Sequence, residues 1–222
     1  MSEIKDHERV NDILLGPLER PALQWLAAHM PAWMTPDILT GIGTFGAVLI
    51  AVSYWLTNYS EWFLWFASLG FVINWFGDSL DGTLARFRKI ERPKYGFFID
   101  HTVDALNETI IFLGFGLSPY LRFEIACLAL IGYLLMSVLV YVSTAVSGVF
   151  KISDGKLGPT EIRAIAILIN VFIFFFGNPS INLPTGGTTV IDLAVLIIAL
   201  ALFLIFIGSS LQQARQLAKE DV

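Results

Sequence analysis

The sequence carries little charge for its length and has a single cysteine. Charged residues fill 15% of its 222 positions, whereas soluble domains usually carry about 25%. Hydrophobic residues make up 55% of the chain, and they form runs of about twenty, the length that crosses a bilayer. Cys127 lies inside one such run, so no disulfide can form within the chain. These features exclude a soluble globular protein and predict an all-α membrane protein.

Six predicted membrane spans follow one another along the chain. The segments between them are polar or rich in glycine and proline, as expected where helices end. The spans cover residues 37–57, 62–86, 94–117, 121–149, 160–177 and 187–213. We therefore expect two regions, a cytoplasmic N-terminus over 1–36 and a six-helix transmembrane domain over 37–222.

Residues 10–33 are predicted to form a helix that does not span the membrane. Leucines and tryptophans alternate there with charged and polar residues, a pattern typical of an amphipathic helix that lies in the membrane interface. Thr35-Pro36-Asp37 follows it. This tripeptide supplies an N-cap, a proline at the first helical position and an acid in the first turn of the first span.

Basic residues indicate how the chain is oriented. With six spans, all but one of the fourteen Lys and Arg residues fall on the same side, and Arg122 is the exception. Lys and Arg are enriched on the cytoplasmic side of membranes. We therefore expect both termini in the cytoplasm. The net charge of −5 says little about partners, because most charges lie at particular places and not as a field. We expect membrane lipids and no nucleic acid as partners.

Acidic residues stand inside the second and third spans, where each charge costs about 2.5–3.5 kcal/mol at mid-bilayer. They are Asp78, Asp81, Asp100, Asp104 and Glu108. Within each span their spacing places them on one helix face, and the two spans are antiparallel. A buried polar site, a metal site or an ion path would each explain them. Ligation by carboxylates alone suits Mg²⁺ or Mn²⁺, with the site near the cytoplasmic ends of the spans.

The acids belong to a longer pattern that resembles a known signature. Asp78-x2-Asp81-Gly82-x2-Ala85-Arg86-x9-Gly96-x3-Asp100-x3-Asp104 is similar to the motif of the CDP-alcohol phosphotransferase (CDP-alcohol phosphatidyltransferase) family. All eight signature residues are present. The nine-residue spacer, often eight in the family, falls in a predicted loop. The stretch 35–40 is similar to the family's Pro-Asn-x-Leu-Thr segment, with Asp37 in place of Asn.

The resemblance implies a phospholipid-biosynthetic enzyme. Such an enzyme would move a phosphatidyl or phosphoaminoalcohol group from a CDP-alcohol to a hydroxyl acceptor and release CMP. It also implies a catalytic six-helix domain, a homodimer and two divalent ions.

The resemblance further implies a role for each signature residue. Asp78, Asp81 and Asp100 would bind the ions, and Asp104 would share the second ion and act as the base on the acceptor hydroxyl. Four residues would border the cytidine and phosphates: Gly82, Ala85, Arg86 and Gly96.

Neighbouring residues add further candidates. His101 could act as a second proton acceptor or orient Asp104, or it could be structural. Asn107 and Glu108 could tune Asp104 or bind the acceptor. Arg163, at the start of span five, could bind an anionic acceptor or a lipid head group. Lys151 and Lys156 fit a plain role as cytoplasmic membrane anchors at least as well as a role in binding.

The donor and the class of protein have alternatives. CDP-diacylglycerol with a small polar acceptor fits the compact size, whereas CDP-choline or CDP-ethanolamine with diacylglycerol fits the stretch 100–107.

An intramembrane cation or proton transporter would also contain membrane-embedded acids, but it more often shows discontinuous helices and repeated halves. An intramembrane prenyltransferase would have two separated acidic motifs, and this chain has one.

Overall fold

The computed structural model describes residues 14–147, 158–183 and 186–220. Within these ranges the chain forms seven helices and one small hairpin. They are α1 (Gly16–His29), α2 (Pro36–Leu56), α3 (Phe63–Phe87), α4 (Pro93–Gly116), α5 (Phe123–Ser147), α6 (Pro159–Phe176), β1 (Ser180–Leu183), β2 (Gly186–Thr189) and α7 (Val190–Glu220). The expected all-α membrane protein is confirmed.

Local signals set most helix ends. Thr35 caps α2, because its Oγ1 accepts a hydrogen bond of 3.2 Å from the backbone N–H of Ile38, and Pro36 occupies the first turn. The last helix is longer than the predicted span 187–213, since its polar end remains helical to Glu220. Hydrophobicity marks the membrane segment of a helix and not its full length. Residues 148–149 of the fourth predicted span lie outside the described residues.

The antiparallel hairpin β1–β2 was not predicted. It pairs Ser180 with Thr189 and Leu183 with Gly186, in the stretch that the sequence marks only as a break between spans. Four-residue strands rich in Asn, Gly and Thr give little period-2 signal. The hairpin leads directly into α7.

Five of the described helices, α2, α3, α5, α6 and α7, are long and apolar enough to cross a membrane. Helix α4 has 24 residues, but it carries Asp100, Asp104 and Glu108 and is not among the five. The count of six spans therefore stays a prediction. So does the interfacial position of α1, which packs against α3 and buries Leu23 and Ala27.

Helix α2 makes backbone contacts that only small residues permit. A Cβ atom at Gly46 would lie 2.5 Å from the backbone nitrogen of Asn74, and one at Gly77 would overlap the backbone of Gly43. Gly114 of α4 lies equally close to Ala51 of α2. Small residues let membrane helices approach in this way. As a result, both acid-bearing helices, α3 and α4, pack against α2.

We expect Gly77→Ala to lower the free energy of unfolding by about 1–3 kcal/mol, the usual cost of overpacking. The added methyl group would collide with the backbone of Gly43 and Leu39. Thermal unfolding of the purified protein in detergent measures the effect. Gly41→Ala is the matched control, because a Cβ there has no atom within 4 Å and the gain in helix propensity is the same. Equal stability of the two variants would contradict this packing.

Candidate functional site

The acids of α3 and α4 converge between the helices. One carboxylate oxygen from each of Asp78, Asp100 and Asp104 lies within 4.8 Å of the other two. These residues line a narrow, tightly packed cleft between the helices, which we call the acid cavity. Its lining residues are Thr40, Gly43, Asp78, Asp81, Asp100, Val103, Asp104 and Asn107. The acids that the sequence placed on one face of each helix therefore meet at one shared site.

Asp81 lines the acid cavity but is held differently from the other three aspartates. Its Oδ2 accepts a hydrogen bond of 2.7 Å from Thr40 Oγ1, and its Oδ1 accepts one of 2.5 Å from the backbone N–H of Gly82. The carboxylate of Asp81 is therefore fixed by α2 and by its own helix. Its role as a metal ligand stays a prediction.

Arg163 of α6 supplies the positive charge next to the acids. Its Nη2 donates to Asp78 Oδ2 at 2.6 Å, and its Nε donates to Asn74 Oδ1 at 2.8 Å. Asn74 in turn donates from Nδ2 to the backbone oxygen of Gly43 at 2.9 Å. The third nitrogen of the guanidinium, Nη1, is buried and has no hydrogen-bond partner in the part of the chain that the structure describes.

Sequence reasoning missed this arrangement. It left Arg163 to bind an anionic acceptor or a lipid head group and gave Asn74 no role. The available signal was the position of Asn74 in the sequence, one helical turn before Asp78 within an apolar run. A buried amide on the same helix face as an acid inside the membrane indicates a functional site or a pair of interacting polar groups.

The donor set of the acid cavity suits a hard divalent cation. Asp78, Asp100 and Asp104 offer only carboxylate oxygens, the ligands that Mg²⁺ and Mn²⁺ prefer. The guanidinium of Arg163 pairs with one of these three carboxylates, Asp78, and bound cations would balance the negative charge of the other two. The residues present therefore fit the predicted metal.

The predicted nucleotide-binding residues lie at the ends of α3 and α4 that are nearest to each other in the sequence. Arg86 is exposed and lies over Gly82, since a Cβ at Gly82 would be 3.3 Å from Arg86 Nη1. Ala85 is half-buried beside them. Gly96 is exposed in the first turn of α4, and a Cβ there would meet no described atom within 4 Å. The roles of all four residues stay predictions.

His101 lies beside the acid cavity and is not among its described lining residues. Its Nδ1 donates to the backbone oxygen of Phe97 at 2.9 Å and lies 3.7 Å from Asp100 Oδ2. The ring stacks on Phe97 at 4.1 Å and meets the edge of Tyr141 at 5.1 Å. These contacts fit both the structural and the catalytic interpretation of His101.

Polar contacts fix the segment before α2 near the site. Glu19 of α1 accepts hydrogen bonds of 2.7 Å from Trp75 Nε1 and from Thr160 Oγ1. Arg88, at the end of α3, donates to the backbone oxygens of Met30, Pro31 and Met34. Arg88, which the sequence analysis used only to orient the chain in the membrane, therefore has specific hydrogen-bond partners.

Arg92 is a second basic residue with a specific partner. It follows α3 and pairs with Asp37, the acid in the first turn of α2. Lys5, Arg9, Lys151 and Lys156 lie outside the described residues.

Curated proteins share part of this sequence. The chain is 37% identical over 111 residues to a phosphatidylinositol phosphate synthase of Cutibacterium acnes, which covers 47% of this chain and 51% of that protein. It is 33% identical over 104 residues to an archaetidylinositol phosphate synthase of Pyrococcus horikoshii, covering 47% and 52%. The chain thus spans about half the length of these relatives.

A third relative comes from a vertebrate. The chain is 28% identical over 163 residues to cholinephosphotransferase 1 of Danio rerio, which covers 69% of this chain and 41% of that protein.

The match to a family model is broader than any of these alignments. The model described as CDP-alcohol phosphatidyltransferase matches residues 33–208, a range that runs from just before α2 into α7 and contains the whole acid cavity. The resemblance inferred from the eight signature residues is confirmed. The chain belongs to the CDP-alcohol phosphatidyltransferase family.

Proposed function

We propose that this protein transfers a phosphoalcohol group from a CDP-alcohol to a hydroxyl acceptor and releases CMP. The observation that carries the proposal is the convergence of Asp78, Asp100 and Asp104 within 4.8 Å inside a membrane bundle. So much negative charge, half-buried between apolar helices, is costly without a function. Membership of the family favours a transferase over the alternative cation or proton transporter.

The four signature aspartates would share the metal site. Asp78, Asp81, Asp100 and Asp104 would hold two divalent ions, Mg²⁺ or Mn²⁺. Bound ions would offset the charge of the donor's diphosphate and of the departing CMP. Gly82, Ala85, Arg86 and Gly96 would border the cytidine and phosphates, where small side chains let a ligand approach the backbone and the guanidinium of Arg86 matches phosphate geometry.

Asp104 would remove the acceptor's proton. The acceptor oxygen attacks the phosphorus that bears the donor alcohol, and a new oxygen–phosphorus bond forms. The bond from that phosphorus to the oxygen of CMP breaks, and CMP leaves with the bonding electrons. The hydroxyl proton passes to the carboxylate of Asp104. A positioned base of this kind contributes about 10²–10⁴-fold to a rate.

Arg163 would influence the choice of acceptor. Two of its nitrogens are used by Asp78 and Asn74, and the buried Nη1 can still donate a hydrogen bond. An acceptor that carries phosphate or another anionic group would satisfy it. The names of the relatives support both arrangements of donor and acceptor, phosphatidyl transfer to a small polar acceptor and phosphoaminoalcohol transfer to diacylglycerol.

The membrane arrangement is proposed as six spans with both termini and the acid cavity on the cytoplasmic side. Helix α4 would be the third of the six spans, with its acids facing the bundle, as membrane-embedded charges usually do. The proposed regions are the N-terminal 1–36, whose helix α1 lies in the interface, and a catalytic domain over 37–222. A homodimer is proposed on the basis of the family resemblance.

Purified protein incubated with pairs of donors and acceptors tests the reaction. CDP-diacylglycerol is combined with myo-inositol 1-phosphate or sn-glycerol 3-phosphate, and CDP-choline with dioleoylglycerol, while CMP is measured. We expect CMP from one arrangement, loss of release with EDTA, and recovery with Mg²⁺ or Mn²⁺, because the diphosphate needs charge neutralisation. No CMP from any pair, or release unaffected by EDTA, would contradict the proposed function.

Asp104→Asn should lower CMP release by about 10²–10⁴-fold, since an amide cannot accept the hydroxyl proton. Nucleotide binding, measured by calorimetry with CMP, and the melting temperature should remain detectable and close to those of the unaltered protein. The matched control is Glu124→Gln, which removes an exposed carboxylate on α5 that pairs loosely with Arg122 at 3.8 Å. Full turnover by Asp104→Asn would remove the base assignment.

A further inference from the structure

Glu19 of α1 joins the two helices that hold the ion pair beside the acid cavity. Its Oε1 accepts a hydrogen bond of 2.7 Å from Trp75 Nε1 of α3 and a second one of 2.7 Å from Thr160 Oγ1 of α6. A single carboxylate oxygen therefore fixes the separation of α3 and α6 at this point. Both donors are neutral groups, so the contact consists of hydrogen bonds and not of an ion pair.

Glu161 ties α6 to α1 a second time. This acid is only 3% exposed, and both of its oxygens accept from backbone N–H groups. Oε2 accepts from Gly158 at 2.8 Å, which is how a glutamate at the third helical position caps a first turn. Oε1 accepts from Leu15 at 2.7 Å, at the start of α1. Capping of α6 does not need this second bond, so its effect is to attach α1 to α6.

Arg163 connects α6 to α3 one turn further along α6. It follows Thr160 by three residues. Its partners on α3, Asn74 and Asp78, lie on either side of Trp75 in the sequence. The two connections therefore link neighbouring turns of both helices. Because an arginine side chain is long and flexible, the position of its guanidinium depends on where the first turn of α6 lies.

Asp78 gains a defined orientation from this guanidinium. Its carboxylate is one of three whose oxygens converge within 4.8 Å, and Arg163 holds its Oδ2 at 2.6 Å. Carboxylates that bind metal ions are commonly held by such a hydrogen bond, and loss of the partner costs about 10–100-fold in metal affinity. The contacts thus run from α1 through α6 to a predicted metal ligand.

We propose that Glu19 and Glu161 are positioning residues, through which α1 keeps the first turn of α6 against α3 and so keeps Arg163 on Asp78. The inference rests on the proposed function, because it takes Asp78 to be a metal ligand. It gives α1 a part in forming the site, in addition to its proposed position in the membrane interface.

The manganese affinity of variants that break the bridge at Glu19 tests the proposal. Mn²⁺ binding to the purified protein without nucleotide is followed by electron paramagnetic resonance. Glu19→Leu removes both hydrogen bonds, and we expect the Kd for Mn²⁺ to rise about tenfold, the lower end of the effect of losing a partner of a ligand. Thr160→Val removes only the bond to α6 and should change the Kd in the same direction, which keeps the test valid if Glu19→Leu does not fold.

Glu19→Gln is the matched control. Its amide oxygen still accepts from Trp75 and Thr160, while the negative charge is gone, so we expect a Kd close to that of the unaltered protein. An equal rise with Glu19→Gln would show that Glu19 attracts the cation by its charge. An unchanged or lower Kd with Glu19→Leu and Thr160→Val would show that α1 does not position the site. Either result overturns the inference.

The route through Arg163 is tested by a double-mutant cycle. In protein that carries Arg163→Met the guanidinium is absent, so Glu19→Leu should cause no further rise in the Kd for Mn²⁺. Residues that act through one contact show such non-additivity, whereas the effects of independent sites add. The same rise in both backgrounds would overturn the proposed route.

Hydrogen exchange of the metal-free protein, followed by mass spectrometry, tests the part of Glu161. Glu161→Leu should speed exchange in peptides that contain Leu15, since the backbone N–H of Leu15 loses its acceptor. A residue that only caps α6 would change exchange at the start of α6 and leave α1 as it was. That result would overturn the role of Glu161.

Failure of the proposed function gives a different result. If the unaltered protein binds no Mn²⁺, the proposed function is wrong, and this inference is wrong with it. If the unaltered protein binds Mn²⁺ and the variants of Glu19 and Thr160 bind it equally well, only this inference is wrong.

Discussion

A carboxylate inside a membrane bundle needs a cation or a hydrogen-bond donor beside it, because lipid supplies neither. In this chain Asp78 contacts Arg163 of α6 at 2.6 Å, and Asp81 contacts Thr40 of α2 at 2.7 Å. Thr40 comes from the helix before α3 and Arg163 from a helix distant in the sequence, so compensation of its acids ties α3 to both α2 and α6. Asp100 and Asp104 of α4 then complete the group of acids, and their excess charge is what makes the site suited to cations.

Close packing and the acid cavity depend on the same stretch of α2. Gly77 allows the backbone of Gly43 to approach, and the backbone oxygen of Gly43 accepts a hydrogen bond from Asn74, which also holds Arg163. Gly43 also forms part of the cavity wall. A larger residue at Gly77 would separate α2 from α3 and disturb the donors that compensate Asp78 and Asp81. Stability and the geometry of the site are therefore linked through one backbone contact.

The helices and the acids were predictable because their signals are local. Runs of apolar residues end at Gly, Pro and polar positions, and the spacing of Asp78, Asp100 and Asp104 on their helix faces can be read directly from the sequence. The ion pair between Arg163 and Asp78 could not be predicted in this way, since it joins residues 85 positions apart and depends on how α6 packs against α3. The polar end of α7, which remains helical beyond its apolar run, is a second feature that hydrophobicity alone does not mark.

The proposed function requires that the acids of α3 and α4 hold divalent cations together with the nucleotide. Anomalous X-ray diffraction at the manganese absorption edge, from crystals grown with Mn²⁺ and CMP, locates such ions. We expect anomalous peaks among the carboxylates of Asp78, Asp100 and Asp104, with the phosphate of CMP beside them. Manganese bound only elsewhere, or a cavity that takes up no manganese at saturating concentration, would contradict it.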